Sequence, residues 1–146
     1  MAGGCVFCGI VGGSVRCWKV YEDDNAVAFL DRSAVTPGHA LVVPRVHASD
    51  IWDIEQSVAG RLMECVHQVA LLLKNALDPD GLTLFQANRT AGWQDVFHMH
   101  VHVVPRYDGD RLVKPWDVPP TDEIHLDEVL RRITADDSTS PGEQDK

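Results

Sequence analysis

The run "HMHVHVV", His98 to Val104, places three histidines at every second position of an apolar stretch. Alternation with period two reads as a β-strand, because successive strand side chains point to opposite faces. His98, His100 and His102 then share one face, and Met99, Val101 and Val103 share the other. The second is an ordinary core face. The first is not, because imidazoles are costly to bury without partners. A fold containing this strand must offer packing on one side and a polar site on the other.

The rest of the chain supplies such a frame. "KVYEDDNAVAFLD" reads as two strands around an Asp-Asp-Asn turn. "TPGH" is a turn, and "ALVVPR" a third strand. "SDIWDIE" opens a helical region with a Ser/Asp cap. Gln56 to Leu77 is a long amphipathic helix, with Val58, Leu62, Cys65, Val66, Val69, Leu72, Leu73 and Leu77 near its buried stripe. "DPDG" stops it, "LTLFQAN" is the fourth strand, "RTAGWQD" a loop and "VFHMHVHVVPR" the fifth strand. A short helix in "TDEIHLDEVLRRI" follows a Pro-rich link. This order predicts an α+β fold with a five-stranded antiparallel sheet, one long helix and a short terminal helix.

A chain of 146 residues is expected to form one domain, here over 1–134, with a disordered acidic tail over 135–146. No apolar run approaches the ~18 residues of a membrane span. The N-terminus lacks a basic region followed by a long apolar one, so no signal peptide is expected. Four cysteines, including the pair Cys5-x-x-Cys8, suit a cytoplasmic metal or redox site better than a disulfide framework. The net charge of −9 disfavours nonspecific nucleic-acid binding, although the seven histidines and scattered arginines can still build a local anion site.

On a strand, alternate residues are ~6.5–7 Å apart. One metal ion cannot bind all three histidines, although two neighbours can share one, because Zn–N bonds are only ~2.0–2.1 Å. The three therefore divide their work. The central one, flanked on both sides, suits a positioned nucleophile or base. Cys5 and Cys8 have the spacing of a zinc knuckle and need two more ligands. His39, His47, His67 and His125 are available, and His47 follows a strand end from which a loop can turn it toward the N-terminus. A Cys-Cys-His-His site can take His47 and one end of the triad. Thioredoxin-type chemistry is the weaker reading, since no β-α-β pattern surrounds the pair.

"HMHVHVV" resembles the His-x-His-x-His-x-x motif of the histidine triad family of nucleotide hydrolases and transferases. "CVFCGIVGG" resembles the amino-terminal segment of its zinc-bearing bacterial members. "YEDDNAVAFLDRSAVTPGHALVVPRVH" and "NRTAGWQDVFHMHVHVVPR" resemble its acidic turn, Phe-x-Asp strand, Pro-Gly-His turn and Asn…Gln…triad segment. The resemblance implies a homodimer whose two sheets join. It implies attack by His100 on a nucleotide α-phosphorus and a nucleotidyl-histidine that water hydrolyses. His102 would contact the phosphate and help protonate the leaving group. His98 would join Cys5, Cys8 and His47 around a structural zinc. Asp31 would hold the ribose hydroxyls, Phe7, Ile10, Phe29 and Leu30 the purine base, and Asn88 and Gln94 the phosphate region. A C-terminal residue, Trp116, would reach the partner's site.

Two residues depart from the family's pattern. Trp93 stands where a small residue is usual, and Asp95 where Ser or Thr is usual, which puts the leaving-group side in question. The expected activity is hydrolysis of a purine nucleotide phosphoramidate or mixed anhydride. The alternatives are a dinucleoside polyphosphate hydrolase, whose members generally lack Cys-x-x-Cys, and a nucleotide-binding regulatory protein with little turnover. A metallohydrolase with zinc on two triad histidines is disfavoured by their spacing and by the cysteine pair.

Overall fold

The computed structural model describes residues 4–113 and 118–137. Five strands form one antiparallel sheet in the order β1-β2-β3-β5-β4, so the fold is α+β. The strands are β1 (Lys19–Glu22), β2 (Ala26–Leu30), β3 (Ala40–Pro44), β4 (Gly81–Phe85) and β5 (Val101–Arg106). The helices are α1 (Val6–Val11), α2 (Gln56–Leu77) and α3 (Glu123–Asp137), with a 3-10 turn at Thr90–Gly92. No helix among the described residues is long and apolar enough to cross a membrane.

The sheet is covered on both faces, and strand parity decides which residue goes where. Ala26, Ala28, Ala40, Val42, Met99, Val101 and Val103 pack with Leu62, Cys65, Val66, Val69 and Leu73 of α2. On the other face Val27, Phe29, Leu41 and Val43 pack with Phe7 and Ile10 of α1. Sequence periodicity did not anticipate α1. A six-residue helix has no stability of its own, so α1 depends on what holds it to the sheet. Burial of Phe7 and Ile10 contributes about 1.5–3 kcal/mol each.

The turns are built by their own side chains. The Asp23 carboxylate accepts from the backbone N–H groups of Asn25 and Ala26 at 2.7 and 2.9 Å, closing the β1–β2 hairpin. Gly38 takes φ +90° in the Thr-Pro-Gly-His turn that leads into β3. Asp50 caps a turn at 51–54 through Trp52 and Asp53 N–H, both at 3.0 Å, so α2 begins only at Gln56.

Several expectations need correction. The fifth strand begins at Val101, not at Val96. β3 pairs with β5 from Ala40↔Val103 to Val42↔Val101, and the pairs that would follow in register are Val43 with His100 and Pro44 with Met99. Proline has no N–H to give the ladder, so the pairing stops. Met99 N–H donates instead to the Ala48 carbonyl at 2.7 Å. The alternation of faces nevertheless persists through His98. β4 ends at Phe85 rather than Asn88. On α2, Leu72 and Leu77 are exposed rather than buried, because they fall on the shoulder of the stripe that faces the sheet.

Among the described residues, those after Leu112 separate as a second unit. There α3 is capped by the Asp122 carboxylate, which accepts from Ile124 N–H at 2.8 Å. The helix runs to Asp137, three residues into the segment expected to be disordered. Trp116 lies outside the described residues.

Candidate catalytic cavity and metal centre

The face of the triad opposite α2 opens into a cavity of about 210 Å³. Phe7 and Ile10 of α1, Phe29, Leu41 and Val96 give it an apolar wall, and Asp31, Asp95, His100 and His102 give it a polar one. The Phe7 ring meets Phe29 and His100 edge-on, at centroid distances of 5.5 and 5.1 Å.

His100 is buried, and its Nδ1 lies 2.8 Å from the His98 carbonyl oxygen. A carbonyl only accepts, so Nδ1 carries the proton and Nε2 presents its lone pair. That nitrogen is 3.8 Å from Asp95 Oδ1. The same Asp95 oxygen accepts from Val96 N–H at 2.9 Å, and the side chain is otherwise exposed.

A second chain of hydrogen bonds sets the state of His102. Val35 N–H donates to His39 Nδ1 at 3.2 Å. His39 Nε2 must then carry the ring proton, and it faces His102 Nδ1 at 2.9 Å and Asp31 Oδ2 at 3.4 Å. His102 therefore accepts at Nδ1 and holds its own proton on Nε2. Burial pushes the His102 pKa down to about 4, assisted by the charges of His100 and His39 and opposed by Asp31 and Asp95. Burial also lowers His39, with Asp31 opposing. Both rings are neutral near pH 7.

Past the end of β3 and ahead of the start of β5, Cys5, Cys8, His47 and His98 bring one donor atom each within 4.8 Å of one another. Cys8 Sγ is 3.3 Å from His47 Nδ1 and 3.5 Å from His98 Nδ1; Cys5 Sγ is 3.6 Å from His98 Nδ1; the two Nδ1 atoms are 3.2 Å apart. A tetrahedron with ~2.0 Å bonds to nitrogen and ~2.3 Å to sulfur has edges of about 3.3 Å (N–N) and about 3.5 Å (N–S). The observed spacings match it. His98 Nε2 donates to the Pro44 carbonyl at 2.8 Å, which turns the Nδ1 lone pair toward the cluster, the outer partner that a metal-binding histidine requires. Burial and the neighbouring Cys5 thiol raise the Cys8 pKa, so two thiolates need a cation between them. These donors fit zinc. His67 and His125, also considered as ligands, are exposed and outside the cluster.

Not every expected site residue reaches the cavity. Leu30 has the parity of the helix-side residues and does not line it. Nor do Asn88 and Gln94. The Gln94 amide is buried and fully used, accepting from Arg89 N–H at 2.7 Å and donating to the Ser49 and Val96 carbonyls at 2.6 and 3.0 Å. Asn88 Oδ1 accepts from Ile51 N–H at 2.7 Å. Both amides hold loops. Trp93 takes φ +74°, a region that favours glycine, which explains why a small residue suits that position. Its indole stacks on Phe85 at 6.3 Å and 19°. Sequence reasoning missed His39 as the partner of His102, although the Pro-Gly-His turn marks it. It also missed Arg16, Trp18 and Arg32, which line the cavity and carry no motif.

An α+β sheet that carries a proton-free imidazole nitrogen over an apolar cavity, with a Cys₂His₂ cluster alongside, defines a recognisable class. The HIT domain model matches residues 13–109, and the chain belongs to the HIT family. It is similar to "Protein hit" of Bacillus subtilis, 37% identical over 113 residues, covering 77% of this chain and 78% of that one. It is 33% identical over 108 residues to an adenylylsulfatase of Arabidopsis thaliana, covering 74% of this chain and 55% of that protein, so the family includes hydrolases. A zinc-bound histidine triad protein from Mycobacterium smegmatis has the same fold, with TM-score 0.73, 33% identity and coverage of 96% of this chain and all of that one.

Proposed function

We propose that the protein is a nucleotide hydrolase/transferase acting at the α-phosphorus of purine nucleotide conjugates, either phosphoramidates or mixed anhydrides. The observation that carries this reading is the Nδ1–H of His100 bound to the His98 carbonyl, which leaves Nε2 free over the cavity. His100 Nε2 attacks the α-phosphorus, forming a P–N bond while the bond to the leaving group breaks. His102 gives its Nε2 proton to the departing atom. Water then attacks the nucleotidyl-histidine, returns a proton to His102 and frees the nucleoside monophosphate. His39 acts as a positioning residue by fixing the tautomer of His102. Phe7, Ile10 and Phe29 take the base, and Asp31 takes the ribose hydroxyls.

Cys5, Cys8, His47 and His98 would hold a zinc ion whose role is structural. When bound, it ties α1 to β3 and to the start of β5. The protein works as a homodimer. β4 is a sheet edge with Leu82 and Leu84 exposed, a surface that a second sheet covers. The four free cysteines suit the cytoplasm. Rapid mixing with excess adenosine 5′-phosphoramidate tests the chemistry. The expected result is a burst of ammonia release matching the concentration of active sites; binding without release would instead make the protein a nucleotide-binding module.

A further inference from the structure

The cavity carries two cations that this chemistry leaves unused. Arg16 and Arg32 both line it and are exposed to solvent. Their guanidinium carbons lie 5.6 and 5.7 Å from the centre of the Trp18 ring. The Trp18 carbonyl accepts from Leu30 N–H at 2.9 Å, which anchors this residue beside the segment leading to Asp31 and Arg32. Among the described residues neither arginine forms an ion pair or a side-chain hydrogen bond. In a chain with 22 acidic and 13 basic residues, two arginines without carboxylate partners on one indole are conspicuous. A cation–π contact orients a guanidinium through the ring and leaves its N–H donors available, whereas a carboxylate partner would occupy them.

We infer that Arg16, Trp18 and Arg32 form an anion subsite on the sugar side of the cavity that takes a second phosphate carried on the ribose of the nucleotide. The inference rests on the reading of Asp31 as the residue that holds the ribose. A ribose esterified at one hydroxyl keeps the other for Asp31. The added phosphate would be repelled by that carboxylate unless cations stood beside it, and Arg32, the next residue, supplies one. Arg16, on the same indole, supplies the second. The apolar wall of Phe7, Ile10 and Phe29 is sufficient for the base and needs no charge.

Titration calorimetry on the zinc-loaded full chain tests the subsite apart from turnover. The ligands are adenosine 3′,5′-bisphosphate, adenosine 2′,5′-bisphosphate, AMP and GMP. One of the two bisphosphates should bind at least about tenfold tighter than AMP at low salt, as charge-assisted arginine–phosphate bonds allow. The advantage should shrink as salt rises, because the arginines are exposed. The double variant Arg16→Gln/Arg32→Gln should bind bisphosphate and AMP alike. Bisphosphates no tighter than AMP, an advantage kept in the double variant, or a preference for GMP read through guanine O6 and N7 would each overturn the inference. Loss of phosphoramidate turnover with the bisphosphate preference intact would sink only the catalytic reading. If none of the four nucleotides bound, both readings would fall.

Discussion

Gly38→Ala should cost stability through two separable terms. Gly38 sits at φ +90°, where a side chain is strained by about 1–2 kcal/mol. A Cβ there would lie 2.5 Å from Leu77 Cδ1 and 3.1 Å from Pro105 Cγ. Leu77 is half-exposed and can swing away, but the Pro105 ring is locked in β5 and cannot. Overpacking against such a wall costs about 1–3 kcal/mol. The sum is roughly 2–5 kcal/mol, a fall in melting temperature on the order of 10 °C for a domain of this size. Urea unfolding of Gly38→Ala, Leu77→Ala and the double variant separates the terms. Removing Leu77 should relieve the softer contact and restore at most about 1 kcal/mol of coupling, leaving the backbone term. His39 follows directly, so turnover should fall as well. A Gly38→Ala loss below about 0.5 kcal/mol, or complete rescue by Leu77→Ala, would refute the assignment of cost to backbone and Pro105.

Cys8→Ser removes the thiol that touches both His47 and His98; zinc content should drop below one per chain by atomic emission and the melting temperature should fall, with turnover persisting in the molecules that stay folded. His102 is held near pKa 4 when folded and titrates at about 6.5 when unfolded. The unfolded state thus binds more protons between those values, and stability falls as pH falls through that window. From about pH 7.5 to about pH 5 the wild type should lose about 2 kcal/mol more than His102→Gln in urea unfolding; equal losses would contradict the burial of a neutral His102. Trp93→Gly relieves a left-handed backbone worth about 1 kcal/mol and forfeits a stack worth ~0.5–1.5 kcal/mol, so its stability should change by less than about 1 kcal/mol in the same assay. Light scattering at micromolar concentration should give about twice the 16.2 kDa chain mass; a monomer would remove the dimer.

The features that local chemistry writes directly were legible in the sequence. The Asp23–Asn25 turn, the span of α2 and the parity of the triad follow from turn residues and periodicity. Spacing offered Cys5, Cys8 and His47 with one end of the triad, and the family resemblance chose His98 and completed the set. Chain spacing alone left the partners of Cys5 and Cys8 open, because it cannot say which loops meet. The early end of the β3–β5 ladder was written in Pro44, but only pairing register reveals that Pro44 stands opposite Met99. α1 was invisible because six residues carry too little periodicity. Gln94 and Asn88 have side chains that can serve either a phosphate or a loop, and tertiary context alone shows that the loops claim them. Trp18 is brought beside the segment of Arg32 by the backbone hydrogen bond from Leu30 N–H to the Trp18 carbonyl, which no motif announces.

The most direct test of His100 as nucleophile is to quench the reaction with adenosine 5′-phosphoramidate in the millisecond range and map the modified peptide by mass spectrometry. We expect one adenylyl group on the peptide that contains the triad, localised to His100 by fragmentation, and none in His100→Ala, which should retain zinc and its fold while losing several orders of magnitude in rate. Adenylyl label on His102 or His39, or turnover of His100→Ala at a rate near that of the wild type, would contradict it.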